Sequence, residues 1–207
     1  MYKEENSIKV ILLGNSGVGK TNLINVFCDR KFNPDSMSSS SCSYLEKKVK
    51  VGKTIYSLNL WDTAGQERFH SVNSLFIKGA RICILVYDIT RKESFESLKS
   101  WVDKVNEIGD KPIFAVVGNK LDLYQNRQVD KKEGENYANE IGALFCLTSA
   151  KNNIESFSDF IIKLIKDYLE KHDLDQWEFV SKDTINLNRE SLKPYPKKKD
   201  CSCLIFN

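Results

Sequence analysis

The chain has 207 residues and a mass of 23.8 kDa, which is enough for one domain and a tail but not for two full domains. Hydrophobic residues make up 41% and charged residues 29%, which excludes a wholly disordered, collagen-like or disulfide-scaffold protein. No apolar run approaches the length of a membrane-spanning helix, and the polar residues 1–6 predict no secretory signal. The net charge of +3 is too small to indicate nucleic-acid binding.

Short apolar runs alternate along the chain with amphipathic stretches. Four runs are continuous, as strands buried on both faces of a sheet are: residues 8–13, 80–87, 113–117 and 143–147. Apolar residues at helical spacing predict one helix through Phe95, Leu98, Val102 and Val105 and another through Ile154, Phe157, Ile161 and Leu164. Residues 44–62 predict an antiparallel hairpin around Gly52. The whole pattern predicts an α/β fold with a doubly wound, mainly parallel sheet.

The apolar periodicity ends near Lys171. We therefore predict a globular domain at residues 1–171 and a flexible tail at residues 172–207, where acidic and basic residues are equally frequent and Pro194 and Pro196 occur. An extra helix around residues 177–180 that packs on the domain is the alternative.

The six cysteines have neither the spacing of a zinc site nor that of a disulfide framework, and only two histidines accompany them. We expect the first four thiols to be reduced and buried, as in a cytosolic protein: Cys28, Cys42, Cys83 and Cys146. Cys201 and Cys203 lie outside the predicted domain and need a separate explanation.

Residues 14–21, GNSGVGKT, follow the first predicted strand directly and precede a predicted helix at 22–29. This is the GxxxxGK[ST] pattern in its required context of strand, loop and helix. Its glycines let consecutive backbone N–H groups face one anion, and the helix N-terminus adds positive charge. Lys20 is expected to reach the β- and γ-phosphates, and the Thr21 hydroxyl to bind Mg²⁺. The predicted phosphate-binding residues are Asn15, Ser16, Gly17, Val18, Gly19, Lys20 and Thr21.

Residues 119–122, NKLD, lie at the C-terminal end of a predicted parallel strand, the edge where open α/β sheets bind ligands. The Asp122 carboxylate can accept hydrogen bonds from N1–H and the 2-amino group of guanine, and adenine presents neither donor. An ordinary polar loop is the alternative. Phe32 is placed either to stack on the base or to pack in the core. The predicted guanine-binding residues are Phe32, Asn119, Lys120, Asp122, Ser149, Ala150 and Lys151.

Four motifs together give the chain a family resemblance: WDTAGQERF at 61–69, LVYDIT at 85–90, GNKLDL at 118–123 and TSAK at 148–151. In order and spacing they resemble the Rab family of Ras-superfamily small GTPases, over residues 7–171. The stretches KTNL, SYLEKKV and QERFH are most similar to the early-endosomal branch. The resemblance implies a six-stranded, mostly parallel sheet with one antiparallel hairpin and helices on both faces.

The resemblance also assigns roles to the switch segments. It implies that Asp62 holds Mg²⁺, that the Gly65 N–H bonds the γ-phosphate, and that Gln66 orients the attacking water. Ser39 aligns with a threonine that ligates Mg²⁺, although a serine-rich loop without a ligand is the alternative. An aromatic triad read by effectors aligns with three residues whose other interpretation is ordinary sheet packing: Tyr44, Trp61 and Phe76.

The C-terminal residues resemble the doubly prenylated end of a Rab. Cys201 and Cys203 form a CxC pair preceded by three lysines, whereas a CaaX box does not fit because four residues follow Cys203. Two lipid chains give stable membrane attachment where one gives only reversible attachment. The alternative is an unmodified tail with free thiols.

The implied function is a GTPase switch with Mg²⁺ as its cofactor, anchored in the membrane through prenyl groups and acting in vesicle or endosomal trafficking. The sequence shows no arginine finger in cis, so we expect slow unassisted hydrolysis, on the order of 10⁻⁴ to 10⁻³ per second. A non-cycling nucleotide-binding scaffold and an ATP-dependent kinase or ATPase are the alternatives.

The same resemblance implies the partners and the location. The expected partners are GTP and GDP, an exchange factor, a GTPase-activating protein, a GDP-dissociation inhibitor or escort protein, and effectors. We expect a monomer that binds no nucleic acid, at the cytoplasmic face of endosomal or vesicle membranes with a cytosolic pool.

Overall fold

A six-stranded sheet forms the centre of the computed structural model, which describes residues 6–34, 43–63 and 74–183. For Ser43, Leu75 and residues 172–183, only the backbone is described. The spatial order is β2-β3-β1-β4-β5-β6. The strands are β1 (Ser7–Leu13), β2 (Ser43–Val51), β3 (Thr54–Asp62), β4 (Ile82–Asp88), β5 (Ile113–Asn119) and β6 (Leu144–Leu147).

Strand pairing agrees with the predicted topology. β1 pairs in parallel with β3 on one side and β4 on the other, and β4–β5 and β5–β6 are also parallel. β2 and β3 pair antiparallel around Gly52, whose φ of 60° suits the tight connection. The prediction of a mostly parallel sheet with one antiparallel hairpin is confirmed. The strand order reverses at β1, and this reversal places a crevice at the carboxyl end of that strand.

Helices cover both faces of the sheet. They are α1 (Lys20–Phe27), α2 (Ser74–Ile77), α3 (Lys92–Glu96), α4 (Leu98–Ile108), α5 (Lys131–Glu140) and α6 (Ile154–Asp183), with a 3₁₀-helix at Leu121–Asn126. Alternate residues of β1 enter two different cores: Val10 packs in the cluster that contains residues of α1 and α6, and Ile11 packs in the cluster that contains residues of α4 and α5. Every residue of β4 is buried, which explains why this strand is a continuous apolar run.

The helical segments differ from the sequence pattern in two places. The single helix predicted through Phe95 and Val105 is divided into α3 and α4 at Ser97. The Ser94 hydroxyl donates to the Arg91 carbonyl oxygen at 2.6 Å and the Ser97 hydroxyl to the Ser94 carbonyl oxygen at 3.0 Å, and such local bonds compete with a continuous helix. The apolar periodicity also did not predict α5. This helix is mostly polar, and its only fully buried residues are Gly134 and Ala138.

Helix α6 continues past Lys171, where the apolar periodicity ends. The chain separates into two units, Met1–Glu170 and Lys171–Asn207, and in the second unit the backbone is helical as far as Asp183. Residues 184–207 lie outside the described part of the chain. The predicted boundary at residue 171 therefore stays a prediction. Within the described residues, no helix is both long enough and apolar enough to span a bilayer.

Three cysteines of the described residues carry free thiols: Cys28, Cys83 and Cys146. Burial raises the pKa of the Cys146 thiol to about 11 and that of the fully buried Cys83 thiol further above its ordinary value. These thiols stay protonated at neutral pH. Cys28 and Cys146 are only partly buried, which corrects the expectation of full burial at these two positions. Cys42 lies outside the described residues.

Candidate functional site

A cavity of about 520 Å³ opens at the carboxyl edge of the sheet and brings together residues that are far apart in the sequence. It lies where the phosphate-loop motif, the NKLD motif and the segment after β6 meet. The lining residues are Gly17, Gly19, Lys20, Thr21, Asn22, Phe32, Pro34, Asn119, Lys120, Asp122, Leu123, Ala150 and Lys151. Most of the residues predicted to bind phosphate and guanine therefore share one cavity.

Two glycines of the loop between β1 and α1 allow the backbone to pass close to its neighbours. Gly14 has a φ of 142°, and a Cβ atom there would lie 2.1 Å from the Val86 carbonyl oxygen. Gly19 has a φ of 99°, and a Cβ there would lie 2.3 Å from Asn119 Nδ2. A larger residue at either position would be strained and would push the loop away from β4 or β5.

Lys20 opens helix α1 and is 3% exposed. Its ammonium group donates to the carbonyl oxygens of Gly14 at 2.6 Å and Asn15 at 3.0 Å. A buried ammonium group requires such acceptors, because its desolvation would otherwise be costly. The loop thus holds the lysine charge at the N-terminus of a helix, where anions are favoured.

The other loop residues face different neighbours. The Asn15 side-chain oxygen accepts hydrogen bonds from the Ser97 hydroxyl at 2.9 Å and from Trp101 Nε1 at 3.3 Å, so this side chain anchors the loop to α4. Val18 is fully buried. A contribution of Asn15 and Val18 to phosphate binding would therefore come from their backbone N–H groups.

Asn119 connects two of the loops that line the cavity. Its Nδ2 donates to the Val18 carbonyl oxygen at 2.8 Å, and its Oδ1 accepts from the Ala150 N–H at 3.2 Å. Asn119 is 1% exposed. Its amide has a second N–H and a second lone pair, so a contact with a base would come in addition to this clamp.

Asp122 faces the cavity with a fixed orientation. Its Oδ1 accepts a hydrogen bond from the Ser149 hydroxyl at 2.5 Å. The Ser149 oxygen in turn accepts from the backbone N–H groups of Lys151 at 3.2 Å and Asn152 at 3.1 Å. This chain of hydrogen bonds aims the carboxylate, as recognition of a paired donor group requires.

Asp88, at the end of β4, is a charged residue that motif reasoning did not place in the site. Its carboxylate lies 2.7 Å from Lys120 Nζ and accepts from the Thr90 N–H at 2.9 Å and the Thr90 hydroxyl at 2.7 Å. Burial acts to raise the pKa of this carboxyl, but the hydrogen bonds from Lys120 and Thr90 outweigh it and hold the pKa below its ordinary value. The position of Asp88 near the site could have been predicted, because it ends β4 and the carboxyl ends of parallel strands meet at one edge of the sheet.

A model of the Ras family matches residues 9–170. The chain belongs to the Ras family. It is 39% identical over 171 residues to Ras-related protein Rab-21 of Homo sapiens, which covers 82% of this chain and 76% of that protein. It is 41% identical over 161 residues to Ras-related protein Rab-31 of Rattus norvegicus, which covers 76% of this chain and 83% of that protein.

These relatives confirm the predicted Rab resemblance, and the chain is a Rab-like GTPase that converts GTP to GDP and phosphate. The small-GTPase fold is confirmed by the sheet order and by the family match.

The Rab resemblance predicts an aromatic residue beside the base at Phe32. Phe32 lines the cavity and packs against the core that includes α1, so core packing is observed and stacking on a base stays a prediction. The Asn22 side chain fixes this segment, because its Oδ1 accepts from the Asn33 N–H at 3.1 Å and its Nδ2 donates to the Asn33 carbonyl oxygen at 3.0 Å. The sequence offered no signal for this role of Asn22.

Two of the three predicted Mg²⁺ ligands are described. Thr21 lines the cavity, and Asp62 is 1% exposed at the end of β3, where the register pairs it with Leu12, just before the phosphate loop. A hydroxyl and a carboxylate are oxygen ligands of the kind that Mg²⁺ prefers, so this donor set fits the ion. Ser39 lies outside the described residues, as do Gly65 and Gln66.

The aromatic triad predicted for Rab effectors is continuous. The ring centroids of Tyr44 and Trp61 are 5.5 Å apart and those of Trp61 and Phe76 are 6.0 Å apart. Tyr44 is 49% exposed, and its hydroxyl donates to Asn59 Oδ1 at 2.8 Å. Each ring packs on the next at the end of the hairpin, and Tyr44 is exposed to solvent. Cys201 and Cys203 lie outside the described residues.

Proposed function

We propose that this Rab GTPase is a guanine-nucleotide switch that binds GTP and GDP with Mg²⁺ and recruits effectors to endosomal or vesicle membranes. The observation that carries the proposal is the single cavity in which the phosphate loop, the NKLD motif and the segment after β6 converge. The lysine at one end and the oriented carboxylate at the other match the charge and donor pattern of a guanosine phosphate.

The residues divide the recognition of the nucleotide between its two ends. Lys20 and the N–H groups of the loop hold the phosphates, as the α1 N-terminus favours. Asp122 accepts from N1–H and the 2-amino group of guanine, and Phe32 supports the base. Adenine would offer this carboxylate no donors in place of N1–H and the 2-amino group, which is the basis of the selectivity.

Hydrolysis depends on positioning and on charge neutralisation. Thr21, Asp62 and Ser39 would hold Mg²⁺, which supplies positive charge to the phosphate oxygens when bound. Gln66 orients the attacking water, and the Gly65 N–H holds the γ-phosphate. Loss of that phosphate releases the segments around Ser39 and Gln66, which is how the switch changes its partners.

The surface that partners read includes the aromatic triad, because packed aromatic rings beside a hairpin form an anchor patch for a partner helix. An exchange factor, an activator, an escort protein and effectors of endosomal trafficking are the proposed partners of a monomeric protein. Prenylation of Cys201 and Cys203, next to three lysines, would attach the protein to an anionic leaflet.

The nucleotide assignment is tested on the purified full-length chain. The bound nucleotide is extracted and identified, and GDP and GTP affinities are measured with Mg²⁺ and with a chelator. We expect guanine nucleotides that bind less tightly without Mg²⁺, and Asp122→Ala should abolish the preference for guanine over adenine nucleotides. Asp103→Ala, which removes an exposed carboxylate from α4, is the matched control. Recovery of adenine nucleotide would refute the assignment.

Cycling and membrane attachment need separate measurements. Single-turnover hydrolysis is expected on the order of 10⁻⁴ to 10⁻³ per second. Equal affinity for GTP and GDP without any turnover would instead support a non-cycling scaffold. The intact mass of protein from native cells should include two prenyl groups, and a variant with serine at positions 201 and 203 should lose its endosomal localisation.

A further inference from the structure

Arg91 is a cation beside the phosphate loop that belongs to none of the nucleotide motifs. It lies between β4 and α3, and its Nη2 donates to the Ser16 carbonyl oxygen at 2.8 Å. The same nitrogen lies 3.6 Å from the position that a Cβ on Gly17 would occupy. The guanidinium group thus lies against two consecutive residues of the loop, and Gly17 itself lines the cavity.

Arg91 is held through both its side chain and its backbone. Arg91 Nε lies 3.3 Å from Asp88 Oδ2, and the Arg91 N–H donates to the Asp88 carbonyl oxygen at 3.0 Å. The Ser94 hydroxyl holds the Arg91 carbonyl oxygen at 2.6 Å. The side chain is 44% exposed, so it is anchored without being desolvated. An arginine that is held in this way retains its charge and its donor geometry.

Arg91, Asp88 and Lys120 form a charged group with one net positive charge. Asp88 carries one negative charge, and both Arg91 and Lys120 approach its Oδ2. Lys120 and the buried Lys20 also line the cavity. Arg91 itself does not line the cavity, but a cation fixed against the loop attracts phosphates bound by that loop through space, without a direct contact.

We propose that Arg91 is a specificity-determining residue for the number of phosphates: it strengthens the binding of guanosine di- and triphosphates over the monophosphate and slows their release. The inference rests on the proposed guanine-nucleotide function and adds a residue outside the phosphate loop to it. If Arg91 only supported the loop structurally, its loss would also weaken nucleotide binding, but by an amount that does not depend on salt.

The test compares Arg91→Gln and Arg91→Glu with the full-length wild-type chain. Affinities for GMP, GDP and a non-hydrolysable GTP analogue are measured at low and high salt, together with the rate of GDP release. Arg81→Gln is the matched control, because it removes an exposed arginine that precedes β4, at the opposite end of that strand.

At low salt we expect Arg91→Gln to weaken GDP binding roughly three- to tenfold, the analogue at least as much, and GMP less. Arg91→Glu should have the larger effect, and high salt should reduce both differences. The ratio of GDP to GMP affinity within one variant cancels any general loss of folded protein. An unchanged ratio, or losses that do not depend on salt, would overturn the inference. Absence of guanine-nucleotide binding in the wild type would instead refute the proposed function.

Discussion

Replacing Asn119 by alanine tests whether the clamp between the phosphate loop and the base-binding segment controls affinity. The substitution removes both hydrogen bonds of the side chain and leaves the Val18 carbonyl oxygen and the Ala150 N–H without that partner. Both residues are buried. An unsatisfied buried group costs about 1–3 kcal/mol, so the two together cost about 2–6 kcal/mol. Without these bonds the two loops can separate in the unliganded chain, and GDP binding must then restore their geometry at this cost. Because ~1.4 kcal/mol corresponds to a tenfold change, GDP affinity should fall at least about 30-fold.

The assay is the rate of release of a fluorescent GDP analogue, combined with equilibrium binding in excess Mg²⁺. Asn139→Ala is the control, since Asn139 is exposed on α5 and its replacement should change stability by less than about 0.5 kcal/mol. If Asn119→Ala binds GDP within threefold of the wild type, the two hydrogen bonds do not hold the site together and the reasoning fails.

Three further substitutions probe the surroundings of the site. The Tyr87 hydroxyl is buried without a hydrogen-bond partner among the described residues. Tyr87→Phe should therefore raise the free energy of unfolding, measured in urea, by about 1 kcal/mol. A loss of stability would contradict this. The pKa of Asp88 is lower in the folded chain, so its contribution to stability is present above about pH 4 and disappears as the pH falls through the folded pKa. The free energy of unfolding of Asp88→Asn, measured at decreasing pH, should lack the loss that protonation of Asp88 causes in the wild type. Gly14→Ala would bring a Cβ atom to 2.1 Å from the Val86 carbonyl oxygen. It should lower the free energy of unfolding by at least about 3 kcal/mol, and the purified variant should retain less GDP. Gly109→Ala, with nothing within 4 Å of its Cβ, should lower the free energy of unfolding by about 1 kcal/mol.

The elements that line the candidate site could be predicted because each one joins a buried strand to a motif. β1 and β5 are apolar runs that end in GNSGVGKT and NKLD, and the carboxyl ends of parallel strands meet at one edge. The strand order alone is therefore enough to predict that these short polar motifs lie close together. The cavity shared by Lys20 and Asp122 follows from the same reasoning.

The parts that could not be predicted depend on contacts between distant side chains. Periodicity is insensitive to α5, because the two fully buried residues of that helix are small, and to the break at Ser97, where local hydroxyl bonds compete with a continuous helix. The role of Asn22 depends on one amide that meets the backbone of Asn33, eleven residues away. A polar residue in a helix gives no pattern from which such a bond could be inferred.

The two ends of the nucleotide site are connected by two separate routes. One passes through Asn119 to Val18, and the other through the Asp88 carboxylate, which faces both Lys120 and the Arg91 that bonds Ser16. A ligand that orders one end therefore lowers the cost of ordering the other. We expect the base and the phosphates to bind cooperatively. In a double-mutant cycle, the losses of GDP affinity in Asn119→Ala and Arg91→Gln should differ from additivity by about 0.5 kcal/mol or more, because both residues bond the same loop, at Val18 and Ser16. Strictly additive losses would show that the two routes act independently.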